Sequence, residues 1–209
     1  MYAILSTCFA PPTAELLEAA QGGALAEALA EALTELPGEG SGLEAELRAF
    51  EALPRELAHS GPYGTMEALE VEYTRLFLGP GLPAVPPYES VYVDGEEADA
   101  PGPLWGQATF AVRDAYRQAG LAPHPGPEPP DHLATDLEFV AMLSQREAMT
   151  LADGDLGEAE AMRQRRASFL RDHLNRWAPV VAEKAAAEAQ HPLYQAAARL
   201  LQAVVATEA

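Results

Sequence analysis

The sequence has one cysteine, few basic residues and no long apolar run. Because Cys8 stands alone, the chain has no internal disulfide framework and no cysteine-based metal site, and a reducing compartment is expected. The 13 Lys and Arg residues face 32 Asp and Glu residues, which gives a formal charge of −19. Nucleic acids and anionic membrane surfaces both attract basic residues. We therefore expect neither of them as a partner.

Membrane and enzyme signatures are also missing. A membrane-spanning helix needs about 18 or more consecutive apolar residues, and no such run occurs. Residues 1–10 are apolar, but they lack a basic flank and precede Pro11 and Pro12, so they do not resemble a secretory signal. Phosphate-binding loops, nucleophile elbows and metal-ligand spacings are absent as well. The sequence thus predicts a cytoplasmic protein without membrane insertion, without a catalytic activity and without a bound cofactor.

The residues that are abundant favour helices. Ala, Leu, Glu and Arg are strong helix formers, and Ile4 is the only isoleucine. Apolar residues recur at spacings of three and four, which is typical of the packed face of a helix. Two such faces are Met66, Leu69, Tyr73, Leu76 and Phe77, and Leu133, Leu137, Val140 and Ala141. We expect an all-α fold, a compact bundle of roughly eight to ten helices, as a single domain over residues 1–209.

Two stretches rich in proline and glycine interrupt the helical pattern. Residues 79–103 contain 6 Pro and 4 Gly, and residues 120–130 contain 5 Pro and 2 Gly. Proline breaks a helix interior, so no helix is expected to run through either stretch. Residues 90–93 resemble a strand, but their context favours a structured loop. The second stretch is predicted to be a hinge between helical halves at about residues 1–119 and 131–209.

A first candidate site follows the helix that ends near Gly79. There, Pro86 and Pro87 stiffen a segment that presents Tyr88 and Glu89. A stiff segment loses little entropy on binding, so aromatic and carboxylate groups on it suit contact with a peptide. The alternative is a loop whose tyrosines cover the core, and the sequence leaves both interpretations open.

A second candidate site lies after the hinge. Asp131 follows two prolines and is expected to be the N-cap of a helix, with His132 beside it at the positive end of the helix dipole. One alternative is a hydrolase that uses Asp131 and His132 with Glu138, which a helix would place two turns further along the same face. A cap and a partly buried histidine are the favoured interpretation.

A third segment, Phe169–Pro179, also has an aspartate followed by a histidine. Its spacing predicts an amphipathic helix with Trp177 facing inward. No third ligand has a spacing that would make a metal site with either Asp-His pair. We therefore expect this segment to contribute mainly to core packing.

Taken together, the segments Glu72–Tyr92, Pro129–Leu143 and Phe169–Pro179 resemble the TorD/DmsD family of cytoplasmic chaperones for molybdenum-containing oxidoreductases. The NarJ branch belongs to the same superfamily. The resemblance implies an all-helical, non-catalytic protein that binds the twin-arginine signal peptide of an apo-oxidoreductase and holds this client until its molybdenum cofactor is inserted. It also implies, as an alternative, a NarJ-type assembly factor that binds a molybdoenzyme without a cleaved leader.

The resemblance assigns positions that contact the peptide. They are Tyr73, Leu76, Phe77, Pro80, Pro87, Tyr88, Glu89, Ser90, Pro130, Asp131 and His132. A twin-arginine leader is cationic and then apolar, so carboxylates at Glu89, Asp131 and Glu72 beside aromatic residues would complement it. The resemblance also implies a homodimer formed by domain swapping at residues 120–130. Guanine nucleotides bind some members, but the absence of a phosphate loop argues against one here.

Overall fold

Helices account for most of the described chain. The computed structural model describes residues 1–34, 42–59, 61–79, 81, 83–95, 101–121 and 128–207. The helices are α1 (Tyr2–Phe9), α2 (Ala14–Gly22), α3 (Ala24–Thr34), α4 (Glu44–His59), α5 (Met66–Tyr73), α6 (Glu89–Val93), α7 (Gln107–Gln118), α8 (Leu133–Ala152), α9 (Leu156–Phe169), α10 (Asn175–Glu188) and α11 (Pro192–Thr207). The expected all-α fold is confirmed.

Local sequence signals set several helix ends. Thr13, Thr65 and Asp155 are N-caps whose side-chain oxygens accept a hydrogen bond from a backbone N–H in the first turn. Gly23 and Gly154 adopt positive φ angles, 85° and 78°, at the turns after α2 and α8. Only glycine takes this conformation without steric cost, so both turns are short and sharp.

Two π-helical turns interrupt the regular helices. One, Thr74–Leu78, continues α5, and the other, Leu170–Leu174, joins α9 to α10. If the joined run Leu156–Glu188 is counted as one helix, the described residues form ten helices, within the predicted range. Single π turns inside α-helices are often found at functional sites. Both lie in segments that carry the family resemblance.

Residues from both sides of the predicted hinge share one core. Helix α1 packs against α8 and α11, and Ser6 Oγ donates a hydrogen bond of 2.8 Å to the Ala134 carbonyl. Trp177, Tyr194 and Phe9 are among the largest fully buried side chains. Each such side chain contributes about 1.5–3 kcal/mol on burial. The inward position predicted for Trp177 is confirmed.

Within the described ranges, β-structure is limited to one isolated bridge between Tyr88 and His132. The loop predicted at residues 90–93 is wrong, because these residues belong to the short helix α6. That helix forms where its first free N–H groups find acceptors on residue 131, a partner distant in sequence. In the parts of the chain covered by the structure, no helix has the length and apolar character that a membrane crossing requires.

Candidate functional site

Helices α6 and α8 begin side by side. Their N-caps, Tyr88 and His132, are both extended, with φ and ψ of −128° and 132° and of −78° and 137°. Extended residues can pair as strands do, and these two form the antiparallel bridge. The Glu89 N–H donates to the Asp131 carbonyl at 3.1 Å, and the Leu133 N–H donates to the Pro87 carbonyl at 2.8 Å. We call residues 87–90 and 130–133 the junction.

Two neighbouring side chains of the junction cap the two helices. Asp131 Oδ2 accepts a 2.8 Å hydrogen bond from the Ser90 N–H, so this side chain caps α6. The expectation that Asp131 caps α8 is wrong, because His132 does so through Nδ1, which accepts from the Ala134 N–H at 3.1 Å. Successive side chains of an extended segment point to opposite sides, so only one of the two can face the α8 amides.

A third segment reaches the junction through His173. Glu89 is fully buried, and its two carboxylate oxygens lie 3.2 and 3.1 Å from His173 Nδ1, in the second π turn. Burial raises the pKa of Glu89, and the hydrogen bond from His173 offsets part of that rise. The three segments that carry the family resemblance therefore meet at one place. Sequence reasoning missed this role of His173, since a contact across 84 positions leaves no local spacing.

A further buried carboxylate lies beside these groups. Asp136, in the first turn of α8, accepts a hydrogen bond from the Tyr116 hydroxyl. Burial raises the pKa of Asp136 well above its ordinary value, and the neighbouring charges of Glu89 and Asp131 raise it further. Burial also lowers the pKa of His132. The nearby N-termini of α6 and α8 favour negative charge and so oppose part of the repulsion.

Three of the predicted contact residues belong to the aromatic core. Tyr73, Leu76 and Phe77 are buried, and the Phe77 ring centroid lies 5.8 Å from those of both Phe9 and Tyr194. These residues anchor the helix that leads to the junction. Their packing contributes to the stability of the fold, and their side chains are enclosed in this structure.

The remaining predicted residues divide by exposure. Those buried in the junction are Pro87, Glu89, Ser90, Asp131 and His132. Tyr88 and Pro130 are partly exposed, and Pro80 lies outside the described residues. Glu72 was expected to supply negative charge to a peptide, but its carboxylate already has partners within the protein. It pairs with Arg75 at 2.7 Å and accepts hydrogen bonds from the N–H groups of residues 190 and 191.

At the accessible face of the junction, an aromatic ring lies next to a carboxylate from outside it, that of Glu128. The Tyr88 hydroxyl donates to Glu128 Oε1 at 3.0 Å, and its ring packs edge-on against His132 at 5.2 Å. Glu128 is exposed and had not been predicted. The signal that could have identified it is its position two residues before Pro130, next to the junction.

The arrangement does not support the hydrolase alternative. Helix α8 begins at Leu133, so Asp131 precedes it and does not share a helical face with Glu138, contrary to the expectation. Asp131 is fully buried and Glu138 is exposed. Nδ1 of His132 is occupied by a backbone N–H. Among the described residues, no group of three His, Cys, Asp or Glu side chains is placed to hold a metal ion.

These features define an all-helical protein in which an aromatic ring and an exposed carboxylate lie side by side where two helices begin. The chain belongs to the TorD/DmsD/NarJ family, because the model of the nitrate reductase delta subunit family matches residues 23–183. The resemblance seen in the sequence is confirmed.

Curated relatives agree with this assignment, and a solved structure shares the fold. The Tat proofreading chaperone DmsD of Salmonella typhi is 30% identical over 141 residues, which cover 67% of this chain and 60% of that protein. The chaperone protein TorD of Vibrio cholerae is 31% identical over 138 residues, 66% of this chain and 59% of that protein. The chain thus spans about 60% of the length of the curated relatives it matches. A crystal structure of a proposed redox enzyme maturation protein from Archaeoglobus fulgidus shows the same fold, with a TM-score of 0.55 and 22% sequence identity. The match covers 96% of this chain and 89% of that one.

Proposed function

We propose that this protein is a non-catalytic chaperone that binds the twin-arginine leader of a molybdenum-containing oxidoreductase precursor in the cytoplasm and holds it for cofactor insertion. The names of the relatives, a Tat proofreading chaperone and a chaperone protein, support this role. The observation that carries the proposal is the convergence of the three family segments at the junction.

The chemistry of the junction suits such a leader. A cationic peptide with an apolar continuation needs a carboxylate beside an aromatic surface, which Glu128 and Tyr88 provide. The formal charge of −19 speeds the encounter with a cation in a salt-dependent way. In this proposal Tyr88 and Pro130 touch the peptide. The buried residues of the predicted set, such as Glu89 and Asp131, hold the binding surface in shape.

Calorimetry with a synthetic twin-arginine leader tests the proposal. We expect binding that weakens with salt, and a loss of affinity of about tenfold on Tyr88→Ala, as for an aromatic residue at the centre of an interface. Phe110→Ala removes another exposed aromatic side chain and serves as the matched control. The absence of binding at every salt concentration would overturn the proposal.

The description of the matching family favours a second candidate. The family is described as the nitrate reductase delta subunit, which links it to an oxidoreductase. We propose, as the alternative, a NarJ-type assembly factor that binds an oxidoreductase without using a leader. Capture of a client subunit from which the leader has been deleted distinguishes the two. Retention of the truncated client at full affinity favours the second candidate.

We also propose a domain-swapped homodimer with residues 120–130 as the hinge. The core already contains residues from both halves, so exchange of one half between two chains preserves the same contacts. Light scattering over a range of concentrations tests this, and a monomer at every concentration would contradict it.

A further inference from the structure

A cleft separate from the exposed face of the junction opens between α7, α8 and α9. Its volume is about 480 Å³, within the range of ligand-binding pockets. Ala111 and Ala115 line it from α7, and Ala161 and Ser168 line it from α9. Positions four and seven residues apart share a face of a helix, so small side chains on the facing helices leave this space.

The cleft has an aromatic floor. Phe139 and Phe169 line it with their rings in an edge-to-face arrangement, 4.7 Å between centroids. Both side chains are largely buried in the core, so the floor is rigid. A rigid aromatic floor next to small aliphatic side chains favours an apolar occupant.

The charges that line the cleft balance. Arg165 and Asp172 are the oppositely charged lining residues, and Gln118 and Gln164 add amides at the rim. The chain as a whole carries a formal charge of −19, and the lining of the cleft has no such negative excess. It has no excess of carboxylates to attract a cation. Its amides can bond the backbone of a neutral peptide.

The cleft is also connected to the junction. His173 lines the cleft, and its Nδ1 binds the buried Glu89 at 3.1 Å. Glu89 directly follows Tyr88, whose ring and hydroxyl lie at the exposed face of the junction. Tyr88 therefore lies at the exposed face of the junction, and the next residue, Glu89, contacts a residue that lines the cleft.

We infer that this cleft binds the apolar part of the same peptide whose cationic part binds at Tyr88 and Glu128. This inference rests on the proposed function and extends it to a two-part site. The carboxylate at the junction selects charge, and the neutral aromatic cleft selects apolar side chains. The two parts of the peptide are covalently linked, so binding of one part raises the effective concentration of the other at its own surface, and the whole peptide binds more tightly than either part alone.

The test compares two peptides on full-length protein. One is a twin-arginine leader with its apolar segment, and the other keeps the arginines but has serine and glycine in place of the apolar residues. Ala161→Leu fills the cleft, and we expect it to weaken binding of the first peptide about tenfold. It should leave binding of the second peptide unchanged.

The control variant is Ala68→Leu. Ala68 lines another cleft, of about 420 Å³, that includes Val71 and Arg75, and filling it should affect neither peptide. If the wild-type protein binds neither peptide, the proposed function fails. If Ala161→Leu binds the complete leader as the wild type does, only the two-part site fails.

Hydrogen exchange on the unaltered protein provides a second measurement that does not depend on a variant folding. The complete leader should slow exchange at residues 111–118 and 161–168 relative to the peptide without apolar residues. Equal exchange at these positions with both peptides would overturn the inference.

Discussion

The acidic residues of the N-terminal helices and those of the junction lie in opposite environments. Glu27 and Glu31 are exposed on α3, whereas Glu89, Asp131 and Asp136 are fully buried where α6 and α8 begin. The charge of −19 is therefore not a uniform property of the surface. Exposed acids contribute a long-range field, and the buried ones organise local structure.

The physical difference is solvation. An exposed carboxylate keeps its hydration shell. Burial of a carboxylate destabilises the folded state unless hydrogen bonds within the protein replace those to water. The junction supplies the Ser90 N–H to Asp131, His173 to Glu89 and the Tyr116 hydroxyl to Asp136. Removing one partner leaves the other buried and unsatisfied, so substitutions in this region should have much larger effects than those on α3.

Asp131→Ala should produce the largest effect. It leaves the Ser90 N–H without its acceptor at the start of α6, and we expect a loss of about 1–3 kcal/mol in unfolding free energy. Leader affinity should fall with it, because Tyr88 is held by the same bridge. Denaturant unfolding and calorimetry measure the two effects. Asp131→Asn keeps an acceptor and is the control, and a loss as large in that variant would contradict a capping role.

Substitutions of Glu89 and His173 should have the second-largest effect on the free energy of unfolding. A double-mutant cycle with Glu89→Gln and His173→Ala isolates their interaction, for which we expect a coupling free energy of about 1–2 kcal/mol. The reason is the hydrogen bond to a buried carboxylate across 84 positions of sequence. Chemical denaturation of the two single variants and the double variant supplies the numbers. Additive effects would show that the third segment only packs against the first.

Asp136→Asn should change the pH dependence of stability. Because the folded state raises the pKa of Asp136, the stability this group contributes is fully present below its ordinary pKa, about 3.9. It is lost as the pH rises through the raised value. Thermal melts from about pH 4 to pH 8 should show the wild type losing stability relative to the variant. His132 works in the opposite direction, since its lowered pKa makes stability fall as the pH drops.

The comparison with Asp136→Asn removes the contribution of His132, because both proteins retain that residue. A constant difference in melting temperature across the pH range would mean that Asp136 does not titrate with a raised pKa in the folded protein.

The helical faces were predictable from the sequence. Leu133 and Leu137 are fully buried, as their spacing of four predicts, and so is Trp177. A period near 3.6 residues is a local property, and so it can be read without knowledge of the fold. The approximate number of helices and the all-α fold follow from the same property.

The chemistry of the junction was only partly predictable. The sequence indicated which segments matter, but Asp131 caps a different helix from the one expected, and His173 binds Glu89 across the fold. Cap geometry depends on which side chain of an extended pair faces the amides, and this is set by the bridge to Tyr88. Partners distant in sequence leave no spacing signal.

Glu27→Gln and Glu31→Gln should have the smallest effect. Both residues are exposed on α3, and a surface substitution of this kind changes stability by at most about 0.5 kcal/mol. An exposed charge acts through solvent, where its field decays over about 8 Å at physiological salt, so we expect affinity to change by less than about twofold. Calorimetry on the double variant and on Glu89→Gln compares the losses of leader affinity in the two proteins. Equal losses in the two variants would mean that the total charge attracts the leader and that the arrangement of carboxylates at the junction does not.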